Sequence, residues 1–172
     1  MKRKNWINSR VMFSAAGILT VLLILTNPVF SADESCIHCG MKKAKFGHSW
    51  VIIEHDDGTV EGVCSVHCAA IDMALHTDKL VKKITVGDYN TKKQIDADTA
   101  YWVIGGDQMG VMTARAKWAF ETKDAADKFM NAHGGRPATY DEVIKAAFED
   151  MQADTLMIQK KRQMMKMKKN QS

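Results

Sequence analysis

The chain has 172 residues, with 24 Lys and Arg against 20 Asp and Glu, 12 Met and 4 Cys. Its basic excess sits at the two ends: Lys2, Arg3, Lys4 and Arg10 in residues 1–31, and six Lys/Arg in the last fourteen residues, Gln159–Ser172, with no acid in either segment. The body between them is acidic, which excludes a nucleic-acid-binding domain with its excess charge on the fold. The roughly 140 residues after the leader suit one compact unit or two very small ones.

The four basic residues near the start precede an uncharged run, Val11 to Thr26, and then Asn27-Pro28-Val29-Phe30-Ser31. Val29 and Ser31 suit the −3 and −1 positions of a signal-peptide cleavage site, which predicts cutting before Ala32; retention of residues 1–31 as an N-terminal membrane anchor is the alternative. Either outcome places the remainder in a periplasmic or other extracytoplasmic space, soluble or anchored. Asp33-Glu34-Ser35 lacks the apolar residue that lipid attachment at Cys36 would need.

A first unit spans residues 32–90. Ser49 to Glu54 is rich in β-branched and aromatic residues and runs into Asp57-Gly58, a strong hairpin signal; Thr59 to Val63 is the return strand. Ser65 is placed to cap a helix through Leu75, and Val81 to Tyr89 forms a further strand. The second unit, 91–140, repeats that order, with strands at Thr99–Ile104 and Ala116–Phe120. A helix capped by Thr122 and ended by Gly134-Gly135 follows, then a short extended piece to Tyr140. Thr139-x-x-Glu142 is a capping box opening a last helix, from Asp141 to about Gln159 within the segment 141–172, and the lysine-rich end beyond it is expected to fray. The predicted fold is α+β: two ββαβ units packed together, followed by a C-terminal amphipathic helix.

Chemistry concentrates in Cys36-Ile37-His38-Cys39-Gly40-Met41 and Cys64-Ser65-Val66-His67-Cys68. Thiolates suit Cu(I) and Zn(II), and thioethers favour Cu(I). Cys36 and Cys39 have the spacing that lets both sulfurs face one ion. Cys64 and Cys68 straddle a predicted helix start, where the backbone N–H groups and dipole favour thiolate. The competing reading is two disulfides, common in exported proteins. Against it, Cys36 to Cys39 closes too short a loop for a useful staple, and Met41 adds a soft donor. A thiol–disulfide oxidoreductase would place CxxC at a helix N-terminus opposite a cis-proline, and Pro137 is the only proline after the leader. Covalent haem in its usual form is excluded because no CxxCH occurs.

His67 and His38 are further candidate ligands, against roles as an exposed partner and a solvent-facing side chain. His48 and His55 flank the first strand and are assigned to the surface. Met109, in the loop Met109-Gly110-Val111-Met112, is placed to reach a metal, whereas Met112, Met73, Met130 and Met151 read as core. Met157, Met164, Met165 and Met167 make the tail a candidate Cu(I) collector, against a solvated, partly disordered end. No nucleotide cradle, Ser-His-Asp order or catalytic carboxylate pair stands out; Asp56-Asp57 belongs to its turn, and Glu61 and Asp72 have no motif around them.

Cys36-x-x-Cys39-Gly40-Met41, Thr99 to Gly106, Met109-Gly110 and the stretch from Ala119-Phe120 through Asp124-Ala125 and Phe129 to His133-Gly134-Gly135 together resemble the NosL family, copper-binding accessory proteins of nitrous oxide reductase assembly. The pair Cys64/Cys68 resembles instead the TRASH/YHS type of metal-binding domain. The resemblance covers roughly residues 36–148 and implies a metallochaperone, not an enzyme, binding Cu(I) through Cys36, Cys39, Met41 and Met109. Cys64, Cys68 and His67 complete the candidate metal set. The implied partners are a copper-receiving enzyme or other copper-assembly proteins, with membrane association through the leader or tail, and neither nucleic acid nor a small-molecule substrate. A structural Zn(II) module using all four cysteines remains the alternative.

Overall fold

The computed structural model describes residues 34–171, so the leader, its cleavage before Ala32 and an N-terminal anchor lie outside the described residues. Two short helical turns that the sequence pattern does not predict come first, α1 (Lys43–Phe46) and a 3₁₀ turn at Gly47–Ser49. The alternating run then becomes β1 (Val51–His55), whose Val51, Ile53 and His55 all point inward, as a period of two requires. Gly58, at φ +83°, completes the predicted turn into β2 (Val60–Val63). Asp57 stabilises that turn by accepting hydrogen bonds from the Thr59 N–H and hydroxyl, at 2.9 and 2.6 Å.

Ser65 stands at the N-cap of α2 (Val66–Leu75) without making the predicted side-chain cap, because its hydroxyl lies beside the Cys64 sulfur at 3.9 Å. β3 (Val81–Gly87) returns beside β1, and an unpredicted strand, β4 (Gln94–Asp96), adds to its outer edge. The sheet order is β2-β1-β3-β4, antiparallel throughout. Gly87 is required by close approach: a Cβ there would collide with the Gly47 carbonyl oxygen.

In the second unit β5 (Tyr101–Ile104) and β6 (Lys117–Phe120) precede α3 (Lys123–His133) and β7 (Arg136–Ala138), in the sheet order β6-β5-β7. Thr122 caps α3 by accepting from Ala125 N. In both units the first strand is central, antiparallel to the second on one side and to the strand after the helix on the other. The repeat read as one of order is therefore one of topology, and the α+β expectation holds.

Asp88 and Tyr89, just after β3, join the units. Tyr89 N donates to Ala119 O at 2.8 Å, and Asp88 Oδ2 accepts from Glu121 N at 2.8 Å. The Tyr89 ring lies 5.0 Å from those of both Trp118 and Phe129, so the seam is an aromatic core shared by the two sheets.

The chain ends in α4 (Tyr140–Lys169), opened by the predicted Thr139/Glu142 capping box. Fraying beyond Gln159 is not observed; the helix continues ten residues further. The added residues are Lys, Arg, Gln and Met, good helix formers uninterrupted by Gly or Pro. Lys166, Lys168 and Lys169 also complement the dipole in the last turn. Val143, Ala146 and Ala147 bury one face of α4. Among the described residues no helix is long and apolar enough to cross a membrane.

Candidate metal centre

Residues 34–43 form a closed knuckle. Cys36 N donates to Met41 O and Gly40 N to Cys36 O, both at 2.8 Å, while Lys43 N donates to Glu34 O at 2.8 Å. Gly40 has φ +77° with open space around its missing Cβ, so backbone conformation alone demands glycine here. The knuckle rests on the first sheet through Ile37 N to Gly62 O, 3.4 Å. Cys36 and Cys39 therefore sit in a turn, not in the first turn of a helix as a thiol oxidant would place them.

Opposite the knuckle, Cys64 leaves the end of β2 and Cys68 lies in the first turn of α2. Ser49 fixes the Cys64 backbone, its hydroxyl donating to Cys64 O at 2.8 Å. The sulfurs of Cys36, Cys39, Cys64 and Cys68 all lie within 4.8 Å of one another. Cys39 Sγ is 3.4 Å from Cys64 Sγ, and Cys64 Sγ is 3.6 Å from Cys68 Sγ. All four are free thiols, and these separations far exceed the S–S bond of about 2.05 Å. They approach the edge of about 3.8 Å that a tetrahedron of sulfurs would have around one ion at about 2.3 Å.

The thiols share their protons unequally. Contacts with Cys39, then Cys64 and Cys68, hold Cys36 far below the usual thiol range, so it is the first thiolate. Cys36 pushes Cys39 up, but Cys64 and Cys68 outweigh it, and Cys39 settles at about 7. Contact with the Cys36 thiolate pushes Cys64 and Cys68 up, so both remain thiols in the free protein. Only Cys39 of the four is not fully buried. It opens on a cleft of about 190 Å³ that also touches His38, Cys68, Met112, Ile158 and Arg162.

Met112, Ile158 and Arg162 also line a larger groove of about 750 Å³ under α4. Met41, Met109, Met157 and Met165 face that groove, together with His48. The structure thus gathers the four cysteines into one centre and places Met41 and Met109 on the adjoining groove. Met112, expected in the core, belongs to both spaces and holds a left-handed φ of +60°, which is uncommon for a side chain of its size. Met157, within the predicted helix, and Met165, beyond its predicted end, become groove wall because α4 stays helical past Gln159. The loop carrying Met109 is held at both ends, by Asp107 N to His133 O at 2.9 Å and Ala114 N to Asp154 Oδ1 at 2.9 Å.

His67 does not join the thiol set. Its Nδ1 faces Asp154 Oδ2 on α4 at 3.5 Å, and burial lowers its pKa against the pull of that carboxylate. His38 is neither solvent-facing nor turned to the sulfurs: its Nε2 donates to Asp72 Oδ1 at 3.0 Å. The surface assignments of His48 and His55 are corrected. His48 packs 5.6 Å from the Trp118 ring, and His55 is 1% exposed, because it continues the inward face begun by Val51 and Ile53.

The model of the NosL family matches residues 28–148 of the chain. The HTH-type transcriptional repressor CutR of Bacillus subtilis (strain 168) is 28% identical over 145 residues, covering 83% of this chain and 71% of the repressor. Among solved structures, that of the copper chaperone NosL from Shewanella denitrificans matches with a TM-score of 0.56 at 24% identity. The match covers 67% of this chain and 93% of that one, and it shows the same fold.

Proposed function

Because the chain belongs to the NosL family, we propose that it is an extracytoplasmic copper-binding accessory protein whose four-thiol centre holds Cu(I) as cargo for a copper enzyme such as nitrous oxide reductase. The observation that carries this reading is a thiol cluster opening through Cys39 onto a methionine-lined groove. Thioethers bind Cu(I) without competing for protons, and thiolates hold it more tightly. Copper captured at Met109 and Met41 passes Met112, which borders both spaces, and reaches Cys39 and Cys36. Cys36 carries the negative charge before metal arrives, Cys39 joins it above about pH 7, and Cys64 and Cys68 release protons only as the ion binds. One half-exposed thiolate at the mouth of a buried set is suited to ligand exchange with an incoming protein. Export rests on the leader pattern in residues 1–31. DNA binding is not carried over from the repressor's name: among the described residues every pair of successive α-helices is separated by at least one strand, so they form no helix-turn-helix.

X-ray absorption on protein purified under reducing conditions tests the proposal. A sulfur-only Cu(I) shell that exchanges with a competing chelator supports it; a zinc-filled centre that never takes Cu(I) refutes it.

The sulfur separations near those of a tetrahedral thiolate site favour one second reading, a closed structural Zn(II) centre. Chelation separates the two, since a structural zinc module unfolds when stripped and a chaperone stays folded.

A further inference from the structure

One helical turn beyond Cys68, the same face of α2 carries Asp72, and one turn further lies His76, the residue that ends the helix. His55 reaches this point from the end of β1 and Glu61 from the middle of β2. One ligand atom from each of His55, Glu61, Asp72 and His76 lies within 4.8 Å of the others. We propose that these four residues form a second metal site, distinct from the thiol centre, that takes a divalent ion of the Zn(II) type through two imidazole nitrogens and two carboxylate oxygens.

Three observations carry the assignment. The first is distance. His76 Nδ1 lies 3.3 Å from Asp72 Oδ1 and 3.8 Å from Glu61 Oε2, and His55 Nε2 lies 3.4 Å from Asp72 Oδ2 and 3.9 Å from Glu61 Oε2. Charge-assisted hydrogen bonds would close to about 2.7–2.9 Å. Donors arranged tetrahedrally around a zinc-sized ion at about 2.0–2.2 Å stand about 3.3–3.6 Å apart.

The second is lack of partners. His55 is 1% exposed and Asp72 0%. Both ring nitrogens of His55, together with Glu61 Oε2, Asp72 Oδ2 and His76 Nδ1, are buried with no hydrogen-bond partner. Polar atoms left so cost about 1–3 kcal/mol each. A cation at their focus satisfies several at once. It also relieves the two carboxylates: Asp72, then burial, pushes the Glu61 carboxyl up because the two acids face each other.

The third is an orienting contact. Asp72 Oδ1 accepts from His38 while lying beside His76, which fixes the carboxylate with Oδ2 towards His55, as outer partners orient metal-ligating carboxylates. His38 lies between Cys36 and Cys39, so this one hydrogen bond joins the second site to the thiol knuckle. Imidazole and carboxylate favour zinc-like divalent ions over Cu(I), so the two centres divide metals by softness. Four protein donors leave no open position, which makes the site structural: it ties β1, β2 and α2 beneath the thiol centre. Glu61 and His76, with side chains 21% and 29% exposed, leave a route to solvent.

The test is metal analysis and zinc-edge X-ray absorption on the full chain, with Co(II) spectra to separate sulfur from nitrogen and oxygen ligation. The wild type is expected to bind one equivalent of Zn(II) in a nitrogen/oxygen shell containing imidazole. His76→Ala and Glu61→Gln, at the two more exposed members of the set, are expected to lose that equivalent or weaken it at least tenfold and to keep the thiol centre's signature. Cys39→Ser is expected to alter only the sulfur signature, so failure of this site and failure of the copper reading give different results. Absence of a nitrogen/oxygen-ligated ion in the wild type, or its full retention in both variants, overturns the proposal.

Discussion

His38 Nε2 donates to Asp72 Oδ1 over 3.0 Å, joining the centre of the Cys36–Cys39 knuckle to the middle of α2. Asp72 is fully buried, and the His38 imidazole holds its Oδ1 from the knuckle side. The orientation of the knuckle and of the carboxylate therefore depend on each other. His38→Ala is expected to weaken Zn(II) at the second site by about 10–100-fold, the usual effect of removing an outer-shell partner. Competition titration against a zinc chelator reads this directly, and an unchanged affinity would show that Asp72 is oriented without His38.

Cys39 is the thiol that changes state near neutrality. Its pKa of about 7 in the folded protein lies below the 9.0 of an unperturbed thiol. A depressed acid contributes stability that is fully present above the unfolded value and is lost as pH falls through the folded one. Stability of the reduced, metal-free protein should therefore rise between about pH 7 and 9. Cys64 and Cys68 are shifted the opposite way and counteract this only above pH 9.0. Denaturant midpoints across pH, with alkylation of Cys39 half-maximal near pH 7, check both statements.

Met109 is 78% exposed, so Met109→Ala should leave the denaturation midpoint unchanged. If copper enters through the groove, the same change slows Cu(I) loading while equilibrium affinity at the thiols changes much less. Stopped-flow transfer from a Cu(I)–chelator complex distinguishes a lost capture residue from a lost thiol.

Lys117 is buried and bonds Asp150 Oδ2 at 2.8 Å, beside Arg115, whose guanidinium bonds the same carboxylate at 2.9 Å. These contacts hold the end of the Met109 loop against α4. Asp150→Ala strands the Lys117 charge and should cost about 3 kcal/mol in urea unfolding. The fully exposed pair Lys128–Asp124 should cost nothing measurable when broken.

Two glycines should respond differently to alanine. At Gly40 the cost is conformational alone, about 1–2 kcal/mol for a left-handed residue, because nothing lies near the new Cβ. At Gly87 the Cβ would strike the Gly47 carbonyl, so the 3₁₀ turn before β1 must move. Thermal unfolding should rank Gly87→Ala as the more damaging.

Much of the fold was legible locally. Alternation in Val51 to His55, the Asp57-Gly58 turn and the Thr139/Glu142 box each act within a few residues, so their signals lie together in the chain. The missed elements are those whose stability comes from elsewhere. β4 exists because the edge of β3 was free to pair, and α1 follows from closure of the knuckle. The inward position of His55 follows from the chain itself: a period of two from Val51 through Ile53 places it inside. The spacing of four from Cys68 to Asp72 to His76 was likewise a visible stripe on one helix face.

By itself the sequence determined the chemistry of the protein: soft donors in two short motifs, two units of the same order and a long C-terminal helix. Donor softness and turn or cap preference belong to residue types and their near neighbours, and so survive in one dimension. Only the tertiary structure decided which donors share a centre. It set the four thiols together, moved His67 away to Asp154, lined a groove with methionines from the tail, and brought His55, Glu61, Asp72 and His76 to a common point. Strand register and the docking of α2 and α4 place those atoms, and both are settled by burial across the whole chain.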